Sequence, residues 1–131
     1  MDFIVDIPSK KTKKFFEAIL PDMIKQLGLS NSRKHLIVRT DKIDSQGVTI
    51  PIDDIATYLV VVCPSNITNM GLTLAHEMVH VRQMAKGMLK SSSKGTVWCG
   101  RTYSKKTKYL DQPWEQDAFA RQELVFRRAI A

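Results

Sequence analysis

Thr73-Leu74-Ala75-His76-Glu77-Met78-Val79-His80-Val81-Arg82-Gln83 is the stretch on which the reading of this chain turns. Two imidazoles four residues apart share one face of a helix, so His76 and His80 can both turn a nitrogen toward a single ion. Glu77, beside the first histidine, can reach a water on that ion without binding the ion itself. Zinc hydrolases need this layout: two histidine ligands, a third ligand from elsewhere, an open position for water, and a glutamate as general base. The chemistry implied is hydrolysis of a peptide bond, with Zn²⁺ as cofactor and a peptide or protein as substrate.

The alternative is a chance pattern. The chain has three histidines, however, and two of them fall in the motif. Leu72, Leu74, Ala75, Met78, Val79 and Val81 make the helix apolar on more than one side, which predicts packing between layers. Buried histidine and glutamate side chains need polar partners there, and a metal supplies them.

At 131 residues the chain is long enough for one domain with a real core, spanning residues 1–131. No apolar run approaches the length of a membrane span. The start, Met1 to Pro8, lacks the basic, apolar and small-residue segments of a signal peptide. With only Cys63 and Cys99 besides, the expected setting is the cytoplasm with reduced thiols.

The formal charge is +7, and no Asp or Glu occurs from Met78 to Leu110. That window holds the candidate anion-binding residues Arg82, Lys86, Arg101, Lys105 and Lys106, together with Lys90, Lys94 and Lys108. A second basic cluster, Lys10 to Lys14, opens the first helix. A one-sign field of this kind attracts an acidic protein, a cell-wall polymer or nucleic acid. No groove-binding or aromatic-interleaved motif accompanies it, so a solvated basic surface is the simpler reading.

In chain order, residues 1–8 read as an extended lead-in ending at Pro8. Ser9 caps a helix to about Gly28 that buries Phe15, Phe16, Ile19, Leu20, Ile24 and Leu27, with Pro21 kinking or splitting it. His35 to Arg39 is a first strand, and His35 itself reads as an ordinary exposed histidine. Val48 to Ile52 is a short strand that Pro51 marks as an edge or an end. Asp53 and Asp54, adjacent on extended chain, point opposite ways and read as solvated loop. Tyr58 to Cys63 is continuous and β-branched, as for a strand covered on both faces.

The motif helix starts within 66–70 and stops near Gly87. Lys90 to Gly95 reads as a mobile loop, and Thr96 to Tyr103 as a strand or hairpin beside the site. Tyr103 and Tyr109 are candidates to polarise the scissile carbonyl. A last helix, capped by Asp111 with Pro113 in its first turn, runs to about residue 130 and packs through Ala118, Phe119, Leu124 and Val125. It offers two acids as the third ligand, Glu115 and Asp117. They lie about 200° apart around the axis, so both cannot face one metal.

The stretch 73–83, then Trp98-x-Gly100, then Tyr109-x-x-x-Pro113-Trp114-Glu115-x-Asp117-Ala118, resembles small zincin-like metallopeptidases often encoded by bacteriophages and grouped loosely with SprT-like proteins. The similarity covers residues 58–120. It is also similar to the gluzincin pattern, which places the third ligand in Glu-x-x-Ala and so implies Glu115, with Ala118 beside it. The resemblance implies an α+β, minimal zincin-like fold: a small mixed β-sheet on an N-terminal helix, a central motif helix and a C-terminal ligand-bearing helix. If phage-encoded, the chain would act in the host cytoplasm. SprT-like and metzincin proteases take a third histidine, and none follows His80 here. The rival from another class is a non-catalytic zinc module that binds nucleic acid or an acidic protein through the basic surface.

Overall fold

The computed structural model describes residues 1–53 and 56–131. Among the described residues, three α-helices and two sheets make an α+β fold. The larger sheet contains β1 (Asp2–Asp6), β2 (His35–Thr40), β3 (Gly47–Ile52) and β4 (Thr57–Val62), in the order β1-β2-β4-β3. Strands β1, β2 and β4 run parallel, and β3 pairs antiparallel with β4 at one edge. Residues 1–8 are thus more than a lead-in, since Asp2 to Asp6 pair with β2 from Asp2↔His35 to Asp6↔Arg39. Pro51 lies in the edge strand, where its missing N–H costs no internal ladder bond.

Alternation along the strands sets the layers. Val5, Leu36, Val38, Tyr58, Val60 and Val62 are all buried and share one core with the helices. Burial contributes about 1.5–3 kcal/mol for each large apolar side chain, so this face dominates the sheet's stability. The opposite face carries the row Ile4↔Ile37↔Leu59↔Ile50, in which Ile4 and Ile50 are exposed. Strand β4 is therefore covered fully on one face and only partly on the other, short of the expectation. His35 is on the open face, beside Asp2.

Helix α1 (Lys10–Gln26) is capped by Ser9, whose side chain accepts from the Thr12 amide, and it runs through Pro21 as one element. Helix α2 (Ile67–Ala85) starts where Asn66 accepts from the Asn69 amide. It is buried on nearly every side between His76 and Val81. Between α2 and the last helix lies a second sheet, ordered β5 (Leu89–Ser92), β6 (Gly95–Trp98) and β7 (Arg101–Tyr103). The Ser/Lys-rich segment read as a loop is thus half strand. Its ladder with β6, from Leu89↔Trp98 to Ser92↔Gly95, holds it.

Helix α3 (Pro113–Ile130) has Gln112 at its cap position, and Asp111 falls in the preceding 3₁₀ turn, Tyr109–Asp111. Asp111 is therefore not the cap. Ala118 and Val125 face the core as expected, but Phe119 and Leu124 are exposed; Trp114 and Phe126 are buried instead. Helices α2 and α3 run antiparallel. Gly71 meets Phe126 at one end, His76 meets Gln122 midway, and Gln83 meets the Trp114 carbonyl at the other. A Cβ on Gly71 would stand 2.3 Å from the Phe126 ring, so glycine permits this close approach.

Asp53 follows β3 in a turn, and Asp54 lies outside the described residues. Cys63 and Cys99 are both free. Among the described residues no helix is long and apolar enough to cross a membrane.

Candidate metal centre

The antiparallel seam of α2 and α3 brings three groups to one point. His76 Nε2 and His80 Nε2 lie 3.0 and 3.1 Å from the same oxygen, Glu115 Oε1. The ligand atoms of all three residues fall within 4.8 Å of one another. The imidazoles stand edge to face, 4.9 Å between centroids, and Phe119 packs on His76 at 4.7 Å. That contact explains why an exposed phenylalanine is tolerated at position 119.

Each ring is oriented by a glutamine. Gln83, fully buried, donates from Nε2 to the Trp114 carbonyl and to Asp117 Oδ2, both at 2.9 Å. Its amide oxygen therefore faces His80 Nδ1, 2.8 Å away. That nitrogen must carry a proton, so Nε2 either presents a lone pair to an ion or holds a second proton against Glu115. Gln122 Oε1 stands 2.7 Å from His76 Nδ1 and favours the same tautomer.

With both imidazoles neutral in that tautomer, two lone pairs and a carboxylate would converge, and three electron-rich atoms this close repel unless positive charge sits among them. The ionisation of the site expresses that demand. Burial favours neutral groups, yet the hydrogen bonds from His76 and His80 hold the Glu115 carboxyl down at about 2. Burial likewise opposes charge on His80, but Glu115 raises its pKa. Positive charge is thus favoured on His80 as a proton, or between the three groups as a metal ion. Two nitrogens and one oxygen on rings pinned from behind are a donor set suited to Zn²⁺.

Glu77 lies beside the cluster. Its Oε1 accepts from the Thr49 hydroxyl on β3 at 2.8 Å, and burial raises its pKa. Gly47, two residues earlier on β3, makes room for it. A Cβ there would stand 2.6 Å from Thr73 Cγ2 and 3.1 Å from Glu77 Cγ. The cleft has two lobes of about 380 and 280 Å³, both lined by Ser45, Gly47, His76, Glu77 and Tyr109. The larger extends to Asn69, Leu72, Phe119 and Gln122. The smaller extends to Thr49, Met84, Leu89 and Trp114.

Tyr109 donates to Glu115 Oε1 at 3.1 Å, and partial burial together with that carboxylate pushes its phenol up to about 12. Tyr103 lines neither lobe. It meets Trp114 edge to face, with 5.7 Å between ring centroids.

Asp117 is outside the cluster. It accepts from Gln83 and from Arg121 Nε (2.7 Å), and although burial opposes its charge, those bonds lower its pKa. Of the basic candidates, exposed Lys86 donates to the Gly28 carbonyl, and half-buried Arg82 acts on Asp117 through its charge. Arg101 lies over the Tyr103 ring at 5.2 Å, and Lys105 and Lys106 are exposed. Sequence reasoning gave no role to Gln83, Gln122, Thr49 or Gly47. Gln83 carried a signal, since it lies three residues past His80 on the same helix face.

Comparisons with protein-family models, with curated proteins and with solved structures gave no match.

Proposed function

We propose that this chain is a zinc-dependent metallopeptidase with a minimal zincin-like architecture, akin to the phage-type, gluzincin-like proteins its sequence resembles. The observation that carries the reading is the convergence of His76 Nε2, His80 Nε2 and Glu115 Oε1 beside a buried glutamate in an open cleft. His76, His80 and Glu115 would hold the ion. When bound, zinc supplies Lewis acidity toward a carbonyl oxygen and acidifies water.

The remaining work falls to the chain's own side chains. Glu77, raised in pKa by burial, takes a proton from the attacking water and returns it to the departing amine. The Thr49 hydroxyl and the space left by Gly47 hold that carboxylate in place. Tyr109, within hydrogen-bond distance of Glu115, can donate to the carbonyl oxygen of a substrate lying in the cleft. The edge strand β3 flanks the cleft through Gly47, Val48 and Thr49, and an extended peptide can pair with such an edge.

The test is cleavage of a fluorogenic casein by zinc-loaded protein and by Glu77→Gln. The parent should cleave and the variant should not, with zinc content equal in the two. Equal cleavage by both would remove Glu77 from the role assigned here.

A further inference from the structure

The positive charge of this molecule is concentrated in one region. The chain has 20 Lys and Arg against 13 Asp and Glu. The window Met78–Leu110 holds eight of the basic residues and none of the acidic ones, which leaves 12 basic and 13 acidic residues elsewhere. The window is +8 and the remainder −1, so the net positive charge of the chain comes from this segment. A surface charged for solubility alone has no reason to be so partitioned.

The fold sets that segment against the smaller lobe of the cleft. The window comprises the end of α2, the sheet β5-β6-β7 and the stretch leading to Tyr109. Met84, Leu89 and Tyr109 from it line the smaller lobe. Arg101 is opposite Trp98, which is opposite Leu89, so all three share the sheet face that Leu89 turns to the cleft. Arg101 is stacked on Tyr103, which abuts Trp114 of the lobe wall. Lys105, Lys106 and Lys108 are exposed along the segment between β7 and Tyr109. None of these four cations takes part in an ion pair among the described residues. The larger lobe lacks such a border, being lined by neutral groups such as Ser45, Gln46, Asn69 and Gln122 besides the site residues.

We infer that the β5-β6-β7 sheet and the segment after it form a docking surface for an acidic stretch of polypeptide. Resting on the peptidase reading, this makes the preferred substrate one with carboxylates on a single side of the scissile bond. A polypeptide fits better than nucleic acid. The smaller lobe lies between two sheet-edge strands, β3 and β5, whose backbones can pair with an extended chain. Single-stranded nucleic acid would stack on aromatic faces, but the Tyr103 ring lies under Arg101, and the two edge strands offer backbone pairing that only a polypeptide can use.

The test measures binding by fluorescence anisotropy with zinc-loaded Glu77→Gln, using an acid-rich peptide, a neutral peptide of equal length and a single-stranded oligonucleotide. The acid-rich peptide should bind about tenfold more tightly than the neutral one at low salt, the preference shrinking as salt rises. Arg101→Glu/Lys105→Glu/Lys106→Glu should abolish the preference and leave neutral-peptide affinity unchanged. Lys105→Gln/Lys106→Gln, which spares the Arg101 stack, should reduce it.

Equal affinity for the two peptides would overturn the inference, as would a preference indifferent to salt and charge reversal, or an oligonucleotide that binds more tightly and displaces the acidic peptide. Cleavage by the parent protein is scored separately. Neutral and acidic peptides cut equally well would sink this inference while leaving the peptidase reading intact. Acidic peptide bound with the expected preference but never cut would support the docking surface and sink the peptidase reading.

Discussion

The helical wall of the cleft and its sheet walls are built to different standards. On the α2–α3 seam every polar group near the centre has a fixed partner: His80 through Gln83 to Asp117, His76 through Gln122, and Glu115 through both imidazoles and Tyr109. On the β5-β6-β7 side the cations project into solvent, and one stacking contact, Arg101 on Tyr103, is the chief constraint. Such a difference suits two tasks. Groups that hold an ion must stay put to within tenths of an ångström. Groups that attract a partner act over a Debye length of about 8–10 Å and tolerate looseness.

Substitutions can test this contrast. The largest effect should come from Glu77→Gln, with turnover reduced by about 10²–10⁴-fold and zinc retained, as read from initial rates and metal content. Next comes the chain behind His80. Gln83→Ala should weaken zinc affinity about 10–100-fold in a competition titration with a chromophoric chelator. Gln122→Ala should cost less, because Gln122 is only half-buried and water can take its place as the acceptor for His76. Equal losses in the two would erase the distinction between the buried and open halves of the helical wall.

Gly71→Ala should lower thermal stability by about 1–3 kcal/mol, because the new methyl runs into the Phe126 ring and spreads α2 from α3. Zinc affinity should fall with it if the seam sets the ligand spacing. The smallest effect is expected on the sheet side. Lys105→Gln alone should change neither zinc affinity nor stability measurably, since isolated exposed charges contribute little.

The same contrast decided what could be read from sequence. The motif helix was legible because ligand spacing and burial both follow the helical period, and all of its positions lie within one short window. Glu115 came from family resemblance, since the residues alone left Asp117 equally open. What separates the two acids is Gln83, 34 residues before Asp117, and only the packed seam reveals that hydrogen bond. Strand β1 went unread although Phe3 and Val5 alternate properly, because its parallel partner begins 33 residues later. Strand β5 was missed for another reason. Leu-Lys-Ser-Ser offers neither β-branched nor alternating apolar residues, and pairing with β6 is what extends it.

Zinc content measured by elemental analysis on protein purified without chelator tests the central claim most directly, using the parent beside His80→Ala, Glu115→Ala and Asp117→Ala. About one zinc per chain is expected in the parent, none in His80→Ala or Glu115→Ala, and near-parental content in Asp117→Ala with zinc in excess. A parent that carries no zinc and takes none up on addition would contradict that claim. So would loss in Asp117→Ala with retention in Glu115→Ala.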